Sequence, residues 1–221
     1  MLLKLSENIA SHICHELANS IGACDTCLES FASSGPEGFS TAKMASQSSV
    51  SRLKYLRYMY GYNVSPAKLC ELATMAHALI KEGRAKLEFT LNGEPFIDNL
   101  DDKKNFRFHT TEGKLLFAFI YIAHGDLPYG GTIKVNINHD NERAENEMTI
   151  VSTSENLKLR PAVYNVLTNE NIDADELNSR NVVVYYARLC SFENDIKYRL
   201  VVTENKVEYI LPYRHMRGDS Y

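Results

Sequence analysis

No stretch of this 221-residue chain is apolar enough to cross a bilayer; the longest apolar run, Leu115 to Ala123, is too short. No charge sign dominates either. Lys and Arg number 24 against 28 Asp and Glu, a formal net charge of −4, so nothing in the overall field favours nucleic acid or an anionic membrane surface as partner. The opening MLLKLSENIA meets Ser and Glu at once and lacks the apolar centre of a signal peptide, so no secretory leader is expected. Five cysteines in a chain of this size are an odd set, read as reduced thiols in a cytoplasm and not as a disulfide framework. Repeats are absent, and the nearest approach to low complexity is the Ser-rich STAKMASQSSVS. No two glycines are separated by a single residue, which leaves no Gly-rich turn whose backbone amides cradle phosphates. What remains is ordinary soluble material, 44% hydrophobic and 24% charged, long enough to bury a real core.

Two helical patterns come first. Ile9, Ile13, Leu17, Ile21, Cys24, Leu28 and Phe31 recur in steps of four and three. Ser33 to Gly38, with Gly and Pro, breaks the pattern, and a second stripe runs from about Ser40 to Tyr60. Two long helices around a short turn predict an antiparallel hairpin over residues 1–63, whose stripes are covered either by the rest of the chain or by a second copy, which makes a dimeric four-helix bundle. Leu17, Ile21 and Leu28 are expected in the bundle core, with Leu5, Ile9 and Ile13 towards the second subunit. Residues 64–221 read as a second domain. Helices are expected over Leu69–Lys81, Glu112–His124, Arg160–Leu167 and about Asp175–Glu193. Strands are expected over Ala85–Leu91, Phe106–Phe108, Thr132–Asn138, Glu147–Val151, Ile196–Thr203 and Val207–Leu211. That order predicts an α+β class, with helices on one face of a mostly antiparallel sheet.

The stretch SHICHELANSIGA, Ser11 to Ala23, carries two histidines on one helix. A shared metal fails on geometry: His12/His15 and Cys24/Cys27 are about 18 Å apart along a helix, whereas the ligands of one zinc lie within roughly 4 Å of each other. Cys24 and Cys27 sit in mid-helix, not at the helix N-terminus that activates a thiol, and read as small apolar filler. His12 reads as a partly buried packing residue. His15 points away from the stripe defined by Ile13 and Leu17, and its same-face neighbours Ser11, Ala18 and Gly22 are all small. An exposed imidazole in a cleared patch suits a covalent carrier, because the neutral ring is nucleophilic near pH 7. Glu16 beside it supplies a carboxylate that fixes one tautomer. If the hairpin turns near Pro36, Arg57 falls level with His15 and offers a guanidinium to a phosphate.

The residues Cys14-His15-Glu16-Leu17-Ala18-Asn19-Ser20-Ile21-Gly22-Ala23 resemble the motif CHDL-x-SP-x-GAI of the ChpT-type histidine phosphotransferases, with Glu16 for Asp and Ile21 for Pro. Leu56-Arg57-Tyr58-Met59-Tyr60-Gly61 is similar to that family's FRLAFG, and Leu127-Pro128-Tyr129-Gly130-Gly131-Thr132-Ile133-Lys134-Val135 to its LPRGG-x-L-x-V. The resemblance implies a dimerising helical hairpin followed by a degenerate α/β sandwich like the ATPase domain of histidine kinases. It implies a phosphorelay carrier: His15 takes a phosphoryl group from a receiver-domain Asp of a hybrid histidine kinase and passes it to response regulators of cell-cycle control. Glu16, Asn19 and Arg57 are the supporting residues it implies. The chain itself then binds no cofactor; the Mg²⁺ belongs to the receiver partner. The helix that would carry paired asparagines for ATP reads KLLFAFIYIAH, with Phe117 and Tyr121 in their places, so ATP-dependent kinase activity is not expected. The alternatives are a receiver-binding interaction module in which His15 carries nothing, and a divergent histidine kinase or phosphatase fragment that still binds nucleotide.

Overall fold

A computed structural model of the chain describes residues 2–34, 36–62, 64–80, 84–96, 106–140, 142, 146–169 and 176–214. Helix α1 (Leu2–Ser34) and helix α2 (Pro36–Tyr60) form the expected hairpin. Gly35 at the turn, Asn63, Lys81 and Asp175 lie outside the described residues, as do the side chains of Ser20 and Phe31. Helix α2 stops where Gly61 donates its backbone N–H to the Arg57 carbonyl at 2.9 Å. A Cβ at Gly61 would stand 2.2 Å from that same oxygen, so the turn out of the hairpin requires glycine.

The remainder is an α/β sandwich. Its sheet contains β2 (Ala85–Leu91), β3 (Glu94–Pro95), β5 (Gly131–Asn138), β6 (Asn146–Thr153), β7 (Arg199–Thr203) and β8 (Lys206–Tyr213), in the order β3-β2-β5-β6-β8-β7. All neighbours pair antiparallel except β2 and β5, which run parallel with Leu87 opposite Ile133. A small separate ladder joins β1 (Ala67–Lys68) to β4 (Arg107–Phe108). Helices α3 (Leu69–Ile80), α4 (Thr110–Gly125), α5 (Pro161–Thr168) and α6 (Val182–Glu193) complete the chain.

Strands β6 and β8 show the alternation of a sheet covered on one face: Met148, Ile150 and Ser152, then Val207, Tyr209, Leu211 and Tyr213, all point into the core. Helix α4 lies over that face. Leu115 to Ile120 are fully buried, because α4 has the sheet on one side and α2 and α6 on the others. A helix that is apolar all round is one that is covered all round. The parallel β2–β5 pair follows from the same helix, since parallel neighbours need a crossover connection and α4 supplies it.

The hairpin is not an appendage. Tyr55, Leu56, Tyr58 and Met59 on α2 are buried in the same core as the sandwich. Tyr55 stacks on Phe117 with ring centroids 4.6 Å apart and donates its hydroxyl to the Phe117 carbonyl. Tyr186 of α6 donates to the Met59 carbonyl at 2.5 Å, and Lys114 to the Gly61 carbonyl at 2.6 Å. The assignment of the α1 stripe is corrected here. Leu5, Ile9, Ile13 and Leu17 pack against the chain's own core, because α6 covers that end of α1. Ile21 and Leu28 are the exposed members, at 55% and 53%.

Helix α6 begins at Val182, later than the periodicity indicates. Asn181 accepts the Asn178 backbone N–H through its side-chain oxygen at 2.8 Å and donates to the Glu176 carbonyl at 2.9 Å. Such side chains offer the backbone an alternative to the helix.

Candidate phosphoacceptor site

Successive helical residues turn by about 100°, so His15 and Glu16 face different surroundings. His15 is exposed, as are its same-face neighbours Ser11, Ala18 and Gly22. A Cβ built on Gly22 meets nothing within 4 Å, so the patch is open ground and not an intrachain contact. Asn19, one turn beyond, is exposed as well.

Glu16 turns inward, its side chain only 14% exposed. Arg52 of α2 donates to its Oε2 at 2.5 Å, and the Tyr121 hydroxyl of α4 donates to Oε1 at 3.0 Å. Both carboxylate oxygens are therefore engaged, and three helices meet at one side chain. The two tyrosines around it resist ionisation strongly: burial first, then the Glu16 charge, raises Tyr121, and burial and Tyr121 raise Tyr60.

The structure puts Arg52, not Arg57, level with Glu16. The thiol of Cys24 meets the Ala42 carbonyl at 3.6 Å, so both cross-helix contacts centre the hairpin close to residue 34 and not on Pro36. Arg57 lies five residues beyond Arg52, about 7.5 Å along the axis, and is exposed. The equal-distance argument for Arg57 thus rested on a turn placed too late. Arg52 was missed because its partner is 36 positions away; only the hairpin register, once centred, would have found it.

His12 is buried, 4% exposed, edge-on to the rings of Tyr60 and Tyr121. Burial lowers its pKa, Glu16 opposes that, and His15 adds to it. His12 is thus a neutral packing residue whose Nε2 finds no hydrogen-bond partner among the described residues. Cys24 is half-buried towards α2 as filler. Among the described residues no group of three or more His, Cys, Asp or Glu has a metal-binding arrangement.

His12, His15, Glu16 and Arg52 form one wall of a cleft of about 500 Å³. The other wall comes from the sandwich: Tyr121, His124 and Gly125 at the end of α4, Arg160 before α5, and Arg180 before α6. His124 is held below the ordinary histidine range, by burial first and then by the Arg52 charge. The cleft thus places an exposed imidazole among three guanidiniums and one carboxylate that is already engaged. Arg160, Arg180 and His124 give no local signal in the sequence; only the fold brings them to His15.

Positions where a nucleotide-binding helix would carry asparagines do other work: Phe117 packs on Tyr55, and Tyr121 holds Glu16.

The chain is similar to known proteins over most of its length. Residues 69–206 match the family described as histidine phosphotransferase C-terminal domain. The chain is 22% identical over 211 residues to the protein phosphotransferase ChpT of Brucella abortus, covering 94% of each chain. It is similar in fold to a solved bacterial phosphotransferase, with a TM-score of 0.74 and 20% identity over 96% of this chain and 97% of that one. The catalytic domain of the histidine kinase ThkA is similar more distantly, with a TM-score of 0.47 and 12% identity over 69% of this chain and 97% of that one. The chain belongs to the histidine phosphotransferase family.

Proposed function

We propose that this phosphotransferase carries its phosphoryl group on His15, between the aspartate of a hybrid kinase's receiver domain and the aspartate of a response regulator. The observation that carries the reading is the exposed imidazole at the mouth of an arginine-lined cleft. In the first step the lone pair of one ring nitrogen forms the N–P bond as the P–O bond to the receiver's aspartate breaks; in the second, a regulator's aspartate oxygen forms a P–O bond as the N–P bond breaks. The receiver's aspartate leaves as a carboxylate, and the other ring nitrogen keeps its proton. The second step regenerates neutral His15. Glu16 serves this chemistry by fixing α1 against α2 and α4. In this reading Asn19 and Arg57 contact the incoming receiver; their exposure on the hairpin supports it. The receiver supplies the Mg²⁺, and this chain adds no cofactor of its own.

In this reading residues 1–63 are the phosphoacceptor and dimerisation unit, and 64–221 a degenerate ATPase-like domain. Support for the dimer comes from apolar side chains on the hairpin surface: Ile21, Leu28, Phe39, Met44, Val50 and Leu53 are 49% to 64% exposed. A second hairpin completes a four-helix bundle by covering them. No helix among the described residues is long and apolar enough to cross a membrane. The proposed setting is the cytoplasm, with cell-cycle regulators as the final acceptors. The test is transfer of labelled phosphate from a phosphorylated receiver domain. Label on the wild type and on His12→Ala, but not on His15→Ala, is expected; equal label on His15→Ala, or none on the wild type, would sink the carrier.

A further inference from the structure

We infer that the cleft opposite His15 is a phosphate-dianion site whose cationic wall is Arg160 and Arg180, both contributed by the sandwich and not by the hairpin. Its occupant as a transferred phosphoryl group rests on the carrier reading; the existence of the anion site does not.

Charge makes the case first. Of the three guanidiniums lining the cleft, Arg52 is engaged by Glu16. Arg160 and Arg180 form no salt bridge among the described residues. The acid behind Arg160 is Asp126, which is fully buried and receives the Tyr209 hydroxyl on Oδ2 at 2.6 Å. Two guanidiniums outside any salt bridge among the described residues, on a surface facing an imidazole, leave a place for a doubly charged oxyanion.

Shape points the same way. A Cβ at Gly125 would lie 2.8 Å from Arg160 Nη2, so the guanidinium rests directly against the glycine at the end of α4. Any larger residue there would displace it. His12, itself 4% exposed, lines the same cleft with its Nε2 unpartnered among the described residues. The volume of about 500 Å³ exceeds what a phosphoryl group fills, leaving room for the acyl side of an aspartyl phosphate.

The carrier alone would require only an exposed histidine. The site adds that the sandwich is part of the reaction centre: it presents charge to the equatorial oxygens of the phosphoryl group as that group passes between nitrogen and oxygen.

The experiment titrates inorganic phosphate into the full chain while the imidazole resonances of His15 and His124 are followed by NMR, with sodium chloride at matched ionic strength as the reference. Saturable shifts of both rings, specific to phosphate, are expected. Arg160→Gln and Arg180→Gln should each weaken the binding roughly tenfold, the loss of one charge-assisted contact. Arg160→Lys should recover part of it. Gly125→Ala should weaken it too, since the new methyl need displace only the flexible end of Arg160 and so leaves the fold intact. Absence of phosphate-specific shifts, or wild-type affinity in both Gln variants, would overturn the site. Arginine-dependent phosphate binding in a protein that takes no label from any receiver would uphold the site and remove the carrier. Label on His15 with phosphate binding indifferent to both arginines would uphold the carrier and remove the site.

Discussion

At the scale of single residues, Glu16 is held by two donors from two helices. Tyr121→Phe deletes one of them and leaves Arg52 in place. A hydrogen bond to a charged group contributes roughly 1.5–3 kcal/mol, and the site is partly solvated, so a loss near the lower figure is expected in denaturant unfolding. Asp126 is a residue of another kind. Burial, opposed by the Tyr209 hydrogen bond and by Arg160, pushes its carboxyl from 3.8 to about 7. The folded state therefore keeps a proton that the unfolded state gives up between those values. Stability contributed by the protonated form is complete below pH 4 and is lost as pH rises through 7, by up to ~4 kcal/mol. Asp126→Asn keeps an acceptor for Tyr209 and should flatten this slope: close to wild type at pH 4, more stable at pH 8 in matched unfolding curves. His12 acts in the opposite sense. Its pKa is lowered by burial, so its contribution is lost as pH falls through the ordinary histidine value. The exposure of His15 was legible because helical periodicity alone turns it away from the apolar stripe. Arg52, Arg160 and Arg180 were not, because each acquires its meaning from a chain segment far away in sequence.

At the scale of elements, α4 joins the two parts of the molecule. It covers the sheet, stacks Phe117 on Tyr55 and ends at the cleft with His124 and Gly125. Phe117→Ala removes a fully buried ring and should cost about 3–5 kcal/mol. Because Phe117 touches both α2 and the sandwich core, hairpin and sheet signals should be lost together in thermal unfolding followed by circular dichroism; separate transitions would contradict the shared core. The long periodic elements were legible: α1, α2, α3, α4 and the β5–β6 and β7–β8 hairpins lie within a few residues of the positions their patterns indicate. The two-residue strands β1 and β3 are shorter than any period. The parallel pairing of β2 with β5 is a long-range choice imposed by the crossover. The late start of α6 reflects Asn178 and Asn181 capturing the backbone locally.

At the scale of the whole molecule, one group of exposed apolar side chains lies on the hairpin, at Ile21, Leu28, Phe39, Met44, Val50 and Leu53. The stripe of α1 divides: its first half is partly buried against the chain's own core, and Ile21 and Leu28 remain outside. Periodicity showed the stripe but not which half the chain would cover for itself. Ile21→Glu with Leu28→Glu places charge in the proposed subunit contact, so light scattering is expected to report a monomer for the variant and a dimer for the wild type, with the melting of the sandwich little changed. A dimer unaffected by both changes would move the contact elsewhere. The most direct measurement of the central claim is fragmentation mass spectrometry, at neutral to basic pH, of the full chain after phosphorylation by a receiver domain. The phosphoryl group is predicted on His15 alone; finding it on His12 or His124, or on no histidine of a chain that still relays phosphate, would contradict the account.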